Sequence, residues 1–284
     1  MKSIKVWKVY SWDITVTTMI NRALYKYGIK SNINLFIIFI GVLSMYSVII
    51  VGMYDPEIAT IFEELSKSMP ELMSLFGMHG DGSTLIGFLN QYLYGMLLLV
   101  LPLVFIIILT NKLITTYIDK GSIVYLLASN NNRVKIIATQ IMVIITYITL
   151  LVVFNTSLVI ISSSIMFPGA LDVSKFIIIN IGLILILYTL SSIVLLFSCI
   201  FSDGRHAMLF GAGIPLLFYI IQMLVNLGNG LEILRYLTIF TLYNPLALIE
   251  GSTNSYIMCA IMLIISIVLN VVSVGIFKKK DLSV

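Results

Sequence analysis

Six stretches of the chain, each 20 to 30 residues long, contain no Asp, Glu, Lys, Arg or His: residues 33–53, 88–110, 136–165, 176–201, 207–226 and 256–277. A helix of about 20 apolar residues matches the roughly 30 Å hydrocarbon core of a bilayer. In hydrocarbon every backbone N–H and C=O needs a partner within the protein, and runs that are continuous rather than alternating predict helices, not barrel strands. Composition agrees, with 60% of the 284 residues hydrophobic and only 11% charged. That balance excludes a soluble enzyme, a disordered tail, a nucleic-acid module and a disulfide scaffold. The expected fold is an all-α membrane protein with six transmembrane helices. The third run, at 30 residues, must tilt or extend into water.

An even number of spans puts both termini on one side of the membrane, and basic residues concentrate on the cytoplasmic side. Fourteen of the 17 Lys and Arg residues fall on the side of the termini, leaving Lys67, Lys175 and Arg235 opposite. Acidic residues run the other way, four against nine. Both termini are therefore expected in the cytoplasm of a multi-pass cell-membrane protein. The first run begins only at Ile33 and is long enough to span, so it reads as a retained helix rather than a signal peptide. Cys199 and Cys259 lie near opposite ends of their spans, too far apart in depth for a disulfide.

All 30 charged residues and both histidines, His79 and His206, stand outside the six runs. Intramembrane ionisable residues mark proton relays, ion-coupled carriers and voltage sensors, so ion coupling is a poor reading. Two separated histidines and two cysteines assemble no metal site, and no catalytic motif is legible. No GxxxxGK[ST] loop is present to hold ATP phosphates. If the protein moves something uphill, the energy must come from a partner.

The segments between spans carry their own patterns. Residues 1–32 read as a cytoplasmic amphipathic segment ahead of a six-helix domain over 33–284. Val16, Ile20, Ala23, Leu24 and Tyr27 recur at helical spacing, Trp7 and Trp12 suit the headgroup region, and Arg22 lies on the polar side. Such a helix is either part of a coupling device or a simple anchor. The inner loop 111–135 places Ile118, Ile123, Leu126 and Leu127 before a polar turn, which suits a short helix docking on a soluble partner or a basic hairpin that sets topology. In the outer loop 54–87 an amphipathic pattern ends at Gly77. The outer loop 227–255 holds an apolar piece, Leu234 to Leu248, interrupted by Asn244 and Pro245, better read as a surface or re-entrant segment than as a seventh span. Pro102 and Pro215 fall inside the second and fifth runs, where prolines kink helices. Asn90, Gln91, Asn155, Asn180, Gln222 and Asn270 need partners in the bilayer, either between helices or along a pathway. Asn90, Gln91 and Gln222 are the candidate pathway residues.

Four segments, in order, resemble the type-two ABC transporter permeases, the six-helix membrane subunits of ATP-driven exporters. They are Tyr117 to Gln140, with an acid, a Gly, a short apolar helix and a basic residue before span three; Pro70 to Gly77 (PELMSLFG); Tyr243 to Gly251 (YNPLALIEG); and Phe277 to Leu282 (FKKKDL). The chain departs from that family's pattern in carrying Asp119 where Glu is frequent, and Ser129 with a run of Asn where a Pro is frequent. The resemblance implies that the inner loop is a coupling helix, with Asp119, Gly121, Leu126, Leu127 and Arg133 as contact or positioning residues. It further implies an ATP-binding cassette ATPase subunit that binds ATP and Mg, a second permease copy or homologue, and contact with membrane lipids, with no nucleic acid and no metal or cofactor in this chain. The expected function is thus a permease subunit of an exporter moving a hydrophobic or amphipathic substrate. The alternative is a non-transporting membrane immunity or assembly protein, and a membrane-embedded enzyme ranks last for want of a reactive polar cluster. An impermeant thiol reagent should label an Asn131→Cys variant only after the membrane is opened; labelling of intact cells would reverse the topology.

Overall fold

The computed structural model describes residues 20–54, 68–77, 84–119, 132–228 and 230–280. Six helices in it are long and apolar enough to cross a membrane: α1 (Arg22–Gly52), α2 (Leu85–Ile118), α3 (Arg133–Met166), α4 (Val173–Ile200), α5 (Gly204–Asn226) and α6 (Thr253–Lys279). No strand occurs among the described residues. The charge-free runs form the middles of these helices, which extend beyond them at most ends into polar flanks.

Helix starts follow from local side chains. Asn21 accepts from the backbone N–H groups of Ala23 and Leu24, Asn132 from Lys135, Asp172 from Lys175 and Asp203 from Arg205. Each satisfies donors that the first turn leaves without a partner. The Asp203 carboxyl is held below the usual carboxylate range by the Arg205 N–H and then by the His206 ring, 2.7 Å away.

The boundary expected at residue 32 falls inside a helix. Residues 22–32 are the first turns of α1, which at 31 residues is about 46 Å long. That exceeds the roughly 30 Å hydrocarbon core. Gly28 does not break the helix because its missing side chain is used for packing: a Cβ there would lie 3.0 Å from Val143 Cγ2 on α3. Leu24, Gly28 and Asn32 are buried and Tyr27 is exposed.

Helix α4 is the axis of the bundle, with 67% of its most apolar window buried, against 17% for α5 and for α6. The outlying helices expose Ile220, Ile264 and Val271, among others, which suits a lipid-facing surface. Between helices, a few polar bonds set register. The Asn21 N–H donates to Thr139 Oγ1 at 3.0 Å, Ser47 donates to Asn155 Oδ1 at 2.8 Å, and the Tyr147 hydroxyl donates to the Ile29 carbonyl. Thr149 and Tyr188 pair at 2.6 Å across α3 and α4, and Thr189 donates to the Met262 carbonyl of α6 at 3.0 Å. Phe36, Phe105 and Tyr147 fill the junction of α1, α2 and α3, with ring centroids 5.2 to 6.3 Å apart.

Both ends of the described chain reach one end of the bundle. There Lys280 donates through Nζ to the Phe201 carbonyl, and Arg133 donates to the Lys280 carbonyl. Burial lowers the Lys280 ammonium pKa from its ordinary value. At the opposite end, Tyr54 packs edge-on against Phe167 at 5.3 Å.

The segment between α5 and α6 is no seventh long helix. Two 3-10 turns (Glu232–Leu237 and Ile239–Leu242) lead into a short helix, Pro245–Ile249, which Asn244 caps by accepting from the Ala247 N–H. Tyr243 and Leu248 press this segment onto α4 at Gly182, where a Cβ would lie 2.8 Å from Leu248 Cδ1 and 2.9 Å from the Tyr243 ring. Replacing Gly182 by Val should therefore displace the segment and cost about 1–3 kcal/mol, seen as a lower midpoint of thermal unfolding in detergent.

Candidate functional site

At the end of the bundle away from the termini, α2 departs from regular helix. Asn90–Tyr94 forms a π-helical turn, and a second one, Asn111–Thr115, closes the other end of the α-helical stretch Leu97–Thr110. Single π turns inside helices shift the residues that follow around the axis and are frequent at functional sites. Just after the first one, Gly95 meets the turn that ends the short helix Pro70–Leu75: a Cβ on Gly95 would lie 2.8 Å from the Phe76 carbonyl and 3.2 Å from that of Gly77. Gly77 itself has φ +71°, the left-handed conformation that ends a helix most readily at glycine.

These departures leave a cavity of about 390 Å³ between α2, α5 and the 3-10 segment. Asn90, Tyr94, Gly95 and Leu99 line it from α2; Tyr219, Gln222, Met223 and Asn226 from α5; and residues 240, 241 and 243–246 from the connecting segment. None of the described lining residues carries a charge. One wall is a linked polar rail, in which Gln222 donates to Asn226 Oδ1 at 2.9 Å and Thr241 donates to Gln222 Oε1 at 3.2 Å. Thr238 ties the same segment to α5 by donating to the Phe218 carbonyl at 2.9 Å. Tyr219 packs edge-on against Phe240 at 5.6 Å, and its buried hydroxyl has no hydrogen-bond partner among the described residues. Tyr243 donates to the Ile179 carbonyl at 3.3 Å, and burial raises its hydroxyl pKa well above the ordinary value, which keeps it a neutral donor. The Tyr94 hydroxyl faces Asn180 without closing a hydrogen bond of normal geometry.

Of the expected pathway residues, Asn90 and Gln222 line this cavity, while Gln91 is buried outside it. Asn155 is engaged by Ser47, and the Asn180 and Asn270 amide nitrogens donate to their own helices at Phe176 and Ser266. Tyr219, Asn226, Thr241 and Tyr243 were not singled out by sequence. The apolar positions around them gave no signal, since their convergence depends on the π turn and on the fold of the 3-10 segment.

Of the expected coupling residues, Asp119 ends the last helical turn, Thr116–Asp119, at the end of α2. Gly121, Leu126 and Leu127 lie outside the described residues, as do Trp7 and Trp12. Arg133 begins α3 and gives its guanidinium to the Lys280 carbonyl, so at least one of its donors serves the chain's own C-terminal end. Arg22 is the exposed first residue of α1. No group of three or more His, Cys, Asp or Glu that could hold a metal occurs among the described residues, and both cysteines are free.

Fold and cavity together define an all-α chain of six helices long and apolar enough to cross a membrane, with a pocket at one end whose described lining carries no charge. Residues 58–283 match the model of a family described as a protein of unknown function, DUF2705, and the chain belongs to that family. No curated protein and no solved structure matches it. The resemblance to type-two ABC permeases is corrected accordingly: the family that accounts for most of the chain is a different one, and no ABC transporter family matches.

The Gln222 rail yields a prediction about the segment it holds. A Gln222→Leu variant loses the bonds to Asn226 and Thr241, so limited proteolysis between residues 228 and 244 should speed up by about fivefold, as expected for roughly 1 kcal/mol of lost anchoring.

Proposed function

We propose that the chain is the membrane-spanning subunit of a transport complex in the cell membrane, with both termini cytoplasmic. It moves a hydrophobic or amphipathic substrate with energy from ATP hydrolysed by a separate subunit, and it works beside a second copy or a homologue of itself. The observation that carries this reading is the combination of an uncharged, partly polar cavity with spans whose charged residues all lie near helix ends.

Physical reasoning supports each part. A cavity bounded by amide and hydroxyl groups on one side and by Leu99, Met223 and Leu246 on another suits a molecule with both kinds of surface. Spans without carboxylates or histidines offer no relay for protons and no counter-charge for coupling ions. Net movement against a gradient then requires an external source of free energy, and a cytoplasmic ATPase is the chemically simplest one. The π turns and Pro102 make α2 the helix least restrained by its own hydrogen bonds, as a helix that moves during transport requires.

Isolation of the full chain from its native membrane in mild detergent should bring an ATP-hydrolysing polypeptide with it. Asp119→Ala or Leu127→Asp should uncouple that activity from substrate while leaving the thermal midpoint of the chain unchanged. Repeated isolation without an ATPase would overturn the proposal and favour a non-transporting assembly or immunity role.

A further inference from the structure

We infer that the cavity between α2, α5 and the 3-10 segment is a binding site for a neutral amphiphile with a hydroxylated head, of the alkyl glycoside class. The inference deepens the transport reading and rests on it for what the ligand is for, although binding can be measured alone.

Charge is the first discriminator. No Asp, Glu, Lys, Arg or His lines the cavity among the described residues. A carboxylate, phosphate or ammonium head placed there would lose water without gaining a counter-ion, and such a transfer is strongly unfavourable. An entirely apolar ligand is disfavoured from the other side, because it would strip water from the Gln222, Asn226 and Thr241 side chains and return nothing. What remains is a neutral polar head.

The kind of polar head follows from the donors and acceptors present. Side-chain amides and hydroxyls each donate and accept, as do the hydroxyls of a sugar, whereas ethers and esters only accept. Gln222 has one Nε2 proton engaged by Asn226, while the single Thr241 hydroxyl proton is shared between the Arg235 carbonyl at 2.8 Å and Gln222 Oε1 at 3.2 Å, which leaves Oε1 able to accept from a ligand hydroxyl. The Tyr219 hydroxyl is buried behind this wall, with no hydrogen-bond partner among the described residues. The Tyr219–Phe240 pair also supplies an aromatic surface for the C–H face of a sugar ring. At about 390 Å³ the cavity accommodates a small head with the first methylenes of a tail, not a whole lipid.

The test uses the purified full chain in phosphatidylcholine nanodiscs and a diazirine-bearing alkyl glucoside as photolabel, with labelled peptides mapped by mass spectrometry. Label is expected within residues 218–246, suppressed by excess octyl glucoside and not by octyl sulfate or octyltrimethylammonium. Met223→Trp, which fills the cavity, should abolish that label. Asn226→Leu should weaken competition by octyl glucoside by about fivefold, the change expected for one lost hydrogen bond. Equal suppression by octyl sulfate, or label confined to lipid-facing positions such as Ile264 and Val271, would overturn the inference. Labelling of the cavity in a chain that carries no ATPase would defeat the transport reading and leave this one standing.

Discussion

Inside a bilayer a polar group has no water to fall back on, and the arrangement of this protein follows from how each such group is satisfied. Most are dealt with locally. Along α3, Thr146, Thr149, Thr156, Ser157, Ser163 and Ser164 each donate to the carbonyl four residues earlier. Asn32, Asn180 and Asn270 do the same in their own helices. Thr146 and Thr149 also meet the Tyr25 and Tyr188 hydroxyls of neighbouring helices, while the others bond within their own helix and impose little on how helices meet. The few that reach across, Ser47 to Asn155, Thr149 to Tyr188 and Thr189 to Met262, act as register pins between otherwise greasy and interchangeable surfaces. Each is modest in energy, on average about 0.6 kcal/mol in membranes, so specificity comes from their placement more than their strength.

The cavity is where this local satisfaction gives way. Gln222, Asn226 and Thr241 bond to one another, and the Tyr219 hydroxyl has no partner among the described residues. Several polar side chains thus converge beside the π turn of α2 and the irregular segment before α6, while others, such as Thr110 and Gln140, keep a buried oxygen without a partner among the described residues elsewhere in the bundle. Regular helix elsewhere and irregular backbone here are two sides of one constraint, since non-helical backbone at depth is tolerated only where protein or a lined cavity surrounds it.

The six helices were legible because hydrophobic run length is a direct readout of bilayer thickness. Extension of α1 back to Arg22 was not, because Arg22, Lys26 and Lys30 look like the end of an apolar run while the helix continues unbroken through them. The cavity was half legible. Asn90 and Gln222 stand out as amides in apolar surroundings, but Tyr219 and Tyr243 look like any core aromatic until the fold brings them together. The family resemblance failed for a related reason. An acid and a glycine in an inner loop, a Pro-Leu stretch before the last span and a basic tail are compatible with many six-span proteins of this topology, so their order carried less information than it seemed to hold. The family that does match covers residues 58–283 and with them most of the bundle.

The tie between Arg133, Lys280 and Phe201 joins residues that are 147 and 79 positions apart in the chain. Synthesis proceeds from the N-terminus, so α3, α4 and α5 are all made before the residue that fastens them exists. The ends of α3 and α4 on that side therefore stay unjoined to α6 until Lys280 has been synthesised.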